Sequence, residues 1–132
     1  MATFVVDGGL DVTTDALIGT AIEPKYIGWG TGAGTTVATD TTLFAEKLVD
    51  LVTAAGTDHT TGTATQQTTS TTDDTYRVTG TRTATGAGTV TNAGLFTATS
   101  GGTLFLKGDF TGIGLAINDA IAFTFNAQYN QA

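Results

Sequence analysis

The feature that most constrains this chain is a two-residue alternation near its C-terminal end. Ile121, Phe123, Phe125, Ala127 and Tyr129 fall on one side of an extended backbone, and Ala122, Thr124, Asn126 and Gln128 on the other. Period two marks a strand with one face in a core and the other in water. The pattern recurs upstream, where Tyr76, Val78, Gly80 and Ala84 alternate with Thr75, Arg77, Thr79, Thr81 and Thr83. Residues 89–97 predict a further strand, with Gly94 marking a bulge or a close backbone approach. Ser100-Gly101-Gly102 is a hairpin signal, and residues 104–110 are the strand that follows it. Gly112 and Gly114 then interrupt before a short run at residues 115–117, and Asn118-Asp119 turns the chain into the last strand.

Composition says why strands win. Thr supplies 32 of the 132 residues and Gly 18. Thr is a poor helix former whose branched Cβ suits a pleated surface, and Gly serves turns and bulges. Hydrophobic content of 40% and eleven aromatics are enough for a core, and the length suits one domain. Strands spaced by Gly and Asn turns, with no series of crossover helices, predict an all-β, antiparallel β-sandwich or jelly-roll-like single domain with one short helix. Residues 40–52 are the candidate helix, because Asp40 can cap it and Leu43, Phe44, Leu48 and Leu51 fall near helical spacing. Residues 1–20 read as an N-terminal arm or lead-in strand, broken by Gly8-Gly9, and residues 21–132 as the sandwich domain. The Thr-rich stretch 53–72 reads as a strand or hairpin at a sheet edge or subunit interface. Ile27 and Trp29 share one side of a short alternating run, and residues 28–34, with four glycines, read as a tight exposed connection.

The same composition removes most chemistry. There is no Cys, so no disulfide, thiolate nucleophile or zinc ribbon. A single histidine, His59, cannot build a multi-histidine metal site, and it reads as an exposed loop residue. Five Lys and Arg against 12 Asp and Glu leave a charge of −7 and no basic stripe for nucleic acid. No stretch approaches a membrane span, and the N-terminus lacks the pattern of a targeting segment. Gly28-Trp29-Gly30-Thr31-Gly32-Ala33 matches the dinucleotide fingerprint in letters only, because no helix follows directly. Asp7, Asp11 and Asp15, and the pair Asp73-Asp74, lack the one-in-two spacing of calcium loops and read as solvated turn carboxylates. Nothing in the sequence brings Glu23 and Glu46, the only glutamates, into one site. No catalytic residue, cofactor or metal ligand is therefore expected, and the chain does not read as an enzyme. Trp29 reads as core, with sugar stacking the alternative.

Several segments together resemble a known family. Pro24-Lys25-Tyr26-Ile27-Gly28-Trp29-Gly30-Thr31-Gly32 is followed by Asp40-Thr41-Thr42-Leu43-Phe44-Ala45-Glu46. Asp74-Thr75-Tyr76-Arg77-Val78-Thr79-Gly80-Thr81 and Thr91-Asn92-Ala93-Gly94-Leu95-Phe96 come next. Leu104-Phe105-Leu106-Lys107-Gly108-Asp109-Phe110 and Asp119-Ala120-Ile121-Ala122-Phe123-Thr124-Phe125 close the series. This order, over residues 21–130, resembles small virion structural proteins of tailed bacteriophages, namely capsid decoration (cement) proteins and tail-fibre proteins. The resemblance implies a homotrimer on the virion, with the capsid surface favoured over the tail and the major capsid protein as partner. A tail-fibre or receptor-binding head is the alternative. Uncharged Thr hydroxyls suit wide, wet contacts, and a low charge density limits the desolvation of ions. On the capsid reading Phe4, Val5, Val6 and Leu10 are the candidate anchors of the N-terminal segment, with Trp29 a further candidate contact.

Overall fold

A computed structural model of the chain describes residues 3–20, 22–55 and 58–129. It contains two antiparallel sheets. Sheet A runs in the order β1-β8-β7-β2-β3, from β1 (Thr3–Val5), β2 (Tyr26–Gly30), β3 (Glu46–Lys47), β7 (Gly88–Phe96) and β8 (Leu104–Leu115). A short strand, β4 (Thr60–Thr61), also pairs with β2. Sheet B holds β5 (Thr63–Gln67), β6 (Thr75–Thr83) and β9 (Ala120–Gln128) in the order β5-β6-β9. The single described helix, α1 (Asp7–Leu17), packs on β8. The fold is all-β and antiparallel with one short helix, as the alternation predicts.

The core lies between the sheets. Ile27, Trp29, Ala93, Leu95 and Leu106 from sheet A meet Val78, Phe123, Phe125 and Ala127 from sheet B in one buried cluster. Trp29 meets Phe123 edge-on at 6.5 Å between ring centroids. Most outward positions of sheet B stay wet: Thr63, Thr79, Thr81, Thr83 and Thr124 are exposed, whereas Thr75 is buried. β8 continues through Gly112 and Gly114: Gly114 pairs with Thr89 of β7, and Gly112 lies where the β7–β8 register shifts between Val90 and Asn92. The 53–72 stretch contributes β4 and β5, and β5 is an edge strand of sheet B.

The helix is not at residues 40–52. Those residues form an irregular crossing, the two-residue β3 and a tight turn, with Ala45 at φ 47° and Leu51 at φ 62°. Their backbone groups have other partners. Asn92 accepts from the Phe44 N–H at 2.9 Å and donates to the Phe44 carbonyl at 3.0 Å. Lys107 donates to the Thr42 carbonyl at 2.8 Å. Asp50 accepts from the Val52 and Thr53 N–H groups and so closes the turn. Groups spent this way cannot make i→i−4 bonds.

The helix forms instead at Asp7–Leu17, across the Gly8-Gly9 pair that reads locally as a breaker. Gly9 lies against the Phe105 backbone so closely that no side chain would fit. Glycine loses about 1 kcal/mol of helix propensity but allows this approach. Val12 then reaches the core. Of the arm and the lead-in strand expected at residues 1–20, the described part is a strand, Thr3–Val5 on β8, running into α1.

Candidate functional site

Three features stand apart from the apolar core: two buried polar clusters and one exposed apolar apron. The first cluster joins β3, β4 and β6. His59 is buried at 5% exposure, which corrects its reading as an exposed loop residue. Its ring stacks on Phe96 at 4.0 Å between centroids and 11° between planes. Nδ1 lies 2.8 Å from the Ala98 carbonyl oxygen, and Nε2 lies 2.9 Å from Oε2 of Glu46. A carbonyl only accepts, so Nδ1 donates to Ala98. Arg82, also buried, donates to Thr60 Oγ1 and to the Asp58 carbonyl, both at 2.9 Å, and its guanidinium lies 5.0 Å from the Trp29 ring centre. Desolvation lowers its pKa, opposed by the charges of Asp58 and Glu46. An imidazole–carboxylate pair is a familiar base. Here both ring nitrogens are held by the chain's own oxygens, and the cluster's work is to tie residues 46–60 to both sheets.

The second cluster lies on the outer side of sheet A. Lys107 is fully buried; its ammonium lies 3.0 Å from Oδ2 of Asp40 and 3.3 Å from the Phe44 ring centre. Burial pushes the Asp40 carboxyl up, but the Lys107 ammonium and the Val37 N–H together pull it lower still, so it sits below its ordinary value. Asp109 accepts from the Thr36 N–H at 2.9 Å. With Asn92 these residues pin the 31–45 crossing over the sheet. Gly28 and Gly30 belong to β2 and are buried beneath this crossing and His59, which corrects their reading as an exposed connection. A Cβ at Gly28 would stand 3.0 Å from both His59 and Phe96, and one at Gly30 would collide with the Phe44 carbonyl.

The apolar apron surrounds α1. Leu10 is 59% exposed, Leu17 83%, Ile18 74% and Ile22 63%. Beside them a groove of about 490 Å³ is lined by Val12, Ala16, Leu17, Ile22, Pro24 and Phe105, with Tyr76 and Tyr129 at its side. The Tyr76 hydroxyl donates to the Pro24 carbonyl at 3.1 Å, and the Tyr129 hydroxyl meets Thr13 Oγ1 at 3.1 Å. Scattered exposed apolar residues are ordinary, but Leu17 and Ile22 line this groove, and exposed apolar side chains at a groove mark a contact surface.

The structure divides the sequence candidates. Phe4, at 41% exposure, and Leu10 are open to solvent, and Val5 is half-buried. Val6 and Trp29 are both fully buried. They offer no surface to a partner, because Val6 packs with Leu43, Phe96 and Leu104, and Trp29 fills the space between the sheets. The sequence does not single out Leu17, Ile18 or Ile22, which the structure leaves exposed. Their only local signal was the apolar string Ala16-Leu17-Ile18 next to a glycine. Asp7, Asp11 and Asp15 lie along α1, and among the described residues no three His, Cys, Asp or Glu gather as a metal site. Asp74 instead staples the 68–74 loop, its carboxyl held far below the usual range by the Thr69 and Thr71 N–H groups and then by Gln128 and Thr75. Among the described residues no helix is long and apolar enough to cross a membrane. Compared with protein-family models, curated proteins and solved structures, the chain has no match.

Proposed function

We propose that the chain is a phage virion structural protein, a capsid decoration protein that binds the assembled capsid and stabilises it. The observation that carries this reading is the set of exposed apolar residues Leu10 and Leu17 on α1 and Ile18 and Ile22 just beyond its end. A side chain such as Leu17 contributes about 1.5–3 kcal/mol when it leaves water, so two or three of them anchor a partner. The resemblance of residues 21–130 to virion proteins supplies the partner, the major capsid protein. Two further features support it. The polar clusters are occupied in holding the chain's own segments, and the outer face of sheet B is mostly Thr, with Arg77 hydrogen-bonded to Asn126 at 2.8 Å. A protein that binds only the assembled shell stabilises it by mass action, in proportion to the logarithm of its free concentration.

The test is co-sedimentation with expanded, undecorated capsids of the phage that encodes the chain. The native chain should saturate a fixed number of sites and raise the capsid melting temperature. Leu17→Asp with Ile18→Asp should weaken that binding at least tenfold, a loss of about 1.4 kcal/mol or more, while leaving the chain's own melting unchanged. Truncation at residue 15 is the wrong probe, because it removes β1, Val6 and Val12 from the fold. Undiminished binding of the double variant overturns the apron. Binding to host cells in place of capsids overturns the decoration reading in favour of the tail-fibre one.

A further inference from the structure

Sheet B ends on two free edges, and they are unequal. β5 offers five residues, whereas β9 offers nine. The β6–β9 register runs without a shift from Thr83↔Ala120 to Thr75↔Gln128, and among the described residues no strand pairs with the far side of β9. That side therefore presents a regular row of N–H and C=O groups without ladder partners. Natural folds blunt such an edge with a short length, a bulge, a proline or a charge. Sheet A does so, since its edge strands β1 and β3 have three and two residues. β9 reads Ala-Ile-Ala-Phe-Thr-Phe-Asn-Ala-Gln, with no proline, no charge and no bulge.

We propose that β9 pairs with β9 of a second copy, antiparallel about a two-fold axis at Thr124, so that two three-stranded sheets become one of six strands. The pattern of the strand names the occupant. Pairing must set inward side chains opposite inward ones, because a slip of one residue reverses every side chain. With the two strands fully overlapped, residue i meets residue 248 − i. Phe123 then meets Phe125, Ile121 meets Ala127, Ala122 meets Asn126, and Thr124 meets itself. Each pair is apolar with apolar on the core side and neutral with neutral on the outer side. Although the chain carries a charge of −7, none of it lies on this strand, so two copies approach without like charges facing each other. A crevice of about 200 Å³, lined by Phe110, Phe123 and Phe125, opens beside the edge and is what the inward side chains of the second copy would cover. An isologous contact of this kind closes on two chains, not the three that the virion resemblance implies. The inference rests on the strand alone and does not depend on the capsid reading.

The chain has no cysteine, so single cysteines report the contact cleanly. Residues directly opposite in an antiparallel pair have Cβ atoms about 4.5–5.5 Å apart, close to disulfide reach. Thr124→Cys should convert almost wholly to a disulfide-linked pair under mild oxidation. Ala122→Cys and Asn126→Cys should each stay single alone and cross-link when mixed. Thr79→Cys, opposite Thr124 on β6, should not cross-link. Sedimentation of the native chain should give twice its 13.4 kDa mass. Thr124→Lys sets two ammonium groups together at the axis and should weaken association at least tenfold. Thr124 is exposed, so the lysine variant should keep the strand signature in circular dichroism. A monomeric native chain overturns the proposal, as does an oligomer in which Thr124→Cys stays unlinked. Full association of the lysine variant does so too.

Discussion

Replacing Lys107 with Met tests whether the outer polar cluster holds the 31–45 crossing in place. The methionine keeps most of the stem volume, so the change isolates the ammonium. Three contacts go with it: Oδ2 of Asp40 at 3.0 Å, the Thr42 carbonyl at 2.8 Å and the face of Phe44 at 3.3 Å. Breaking a buried pair from one side costs about 3–5 kcal/mol, because the remaining charge is stranded. Asp40 keeps 19% of its side chain exposed, so water solvates part of the orphaned carboxylate and the lower end applies, about 3 kcal/mol. For 132 residues the unfolding entropy is about 0.28 kcal/mol/K, so the melting temperature should fall by about 11 °C. The assay is urea unfolding at neutral pH with the slope compared between variants, since an altered slope signals a changed end state rather than a changed stability. Asp40→Asn completes a double-mutant cycle. Once Lys107 is gone, removing the stranded charge should do less harm than removing it from the intact pair, a coupling of about 1–2 kcal/mol. A loss below about 1 kcal/mol for Lys107→Met, or single effects that add to within about 0.5 kcal/mol, would refute the reasoning.

Gly30→Ala should be strongly destabilising, by about 3 kcal/mol or enough to prevent soluble expression, because its Cβ meets the Phe44 carbonyl and Asn92. Gly114→Ala, with nothing within 4 Å of its Cβ, should change stability by less than about 0.5 kcal/mol, and unfolding curves of the pair check both. Asp74 has a folded pKa well below its ordinary value. Its stabilisation is therefore complete above the ordinary aspartate range and is lost as the pH falls through the lower folded value. Asp74→Asn should accordingly flatten the acid limb of a stability–pH profile while leaving the shape above neutrality unchanged. An unchanged acid limb would remove Asp74 from the account of the 68–74 loop.

What could be read from the sequence, and what could not, divides along the distance over which each decision is made. The alternation in β6 and β9, and the shared side of Ile27 and Trp29, are properties of a few adjacent residues, and they place both sheets' core faces correctly. The helix is the opposite case. Residues 40–52 have better local helical spacing than residues 7–17, yet Asn92 and Lys107, 48 and 65 residues away from their partners Phe44 and Thr42, take the backbone groups that a helix there would use. Residues 7–17 become helical despite two glycines because the close approach to Phe105 needs them. Burial of His59 in a Thr-rich stretch likewise depends on Glu46, Phe96 and Ala98, none of them near it in the chain. One local signal of this long-range chemistry was present. Asn92 and Lys107 are polar residues inside otherwise apolar strand runs, Thr-Val-Thr-Asn-Ala-Gly-Leu-Phe and Leu-Phe-Leu-Lys-Gly-Asp-Phe. A polar side chain there needs a partner within reach. On a central strand with its own ladder complete, that partner has to come from chain crossing the sheet. Read that way, the two residues call for a loop over sheet A, and the 31–45 stretch, with its Gly and Thr, is the segment free to form it. The apron around α1 had no comparable signal, because exposure of Leu17 and Ile18 follows from which face of the helix meets β8, and the two glycines that settle it carry no side chain.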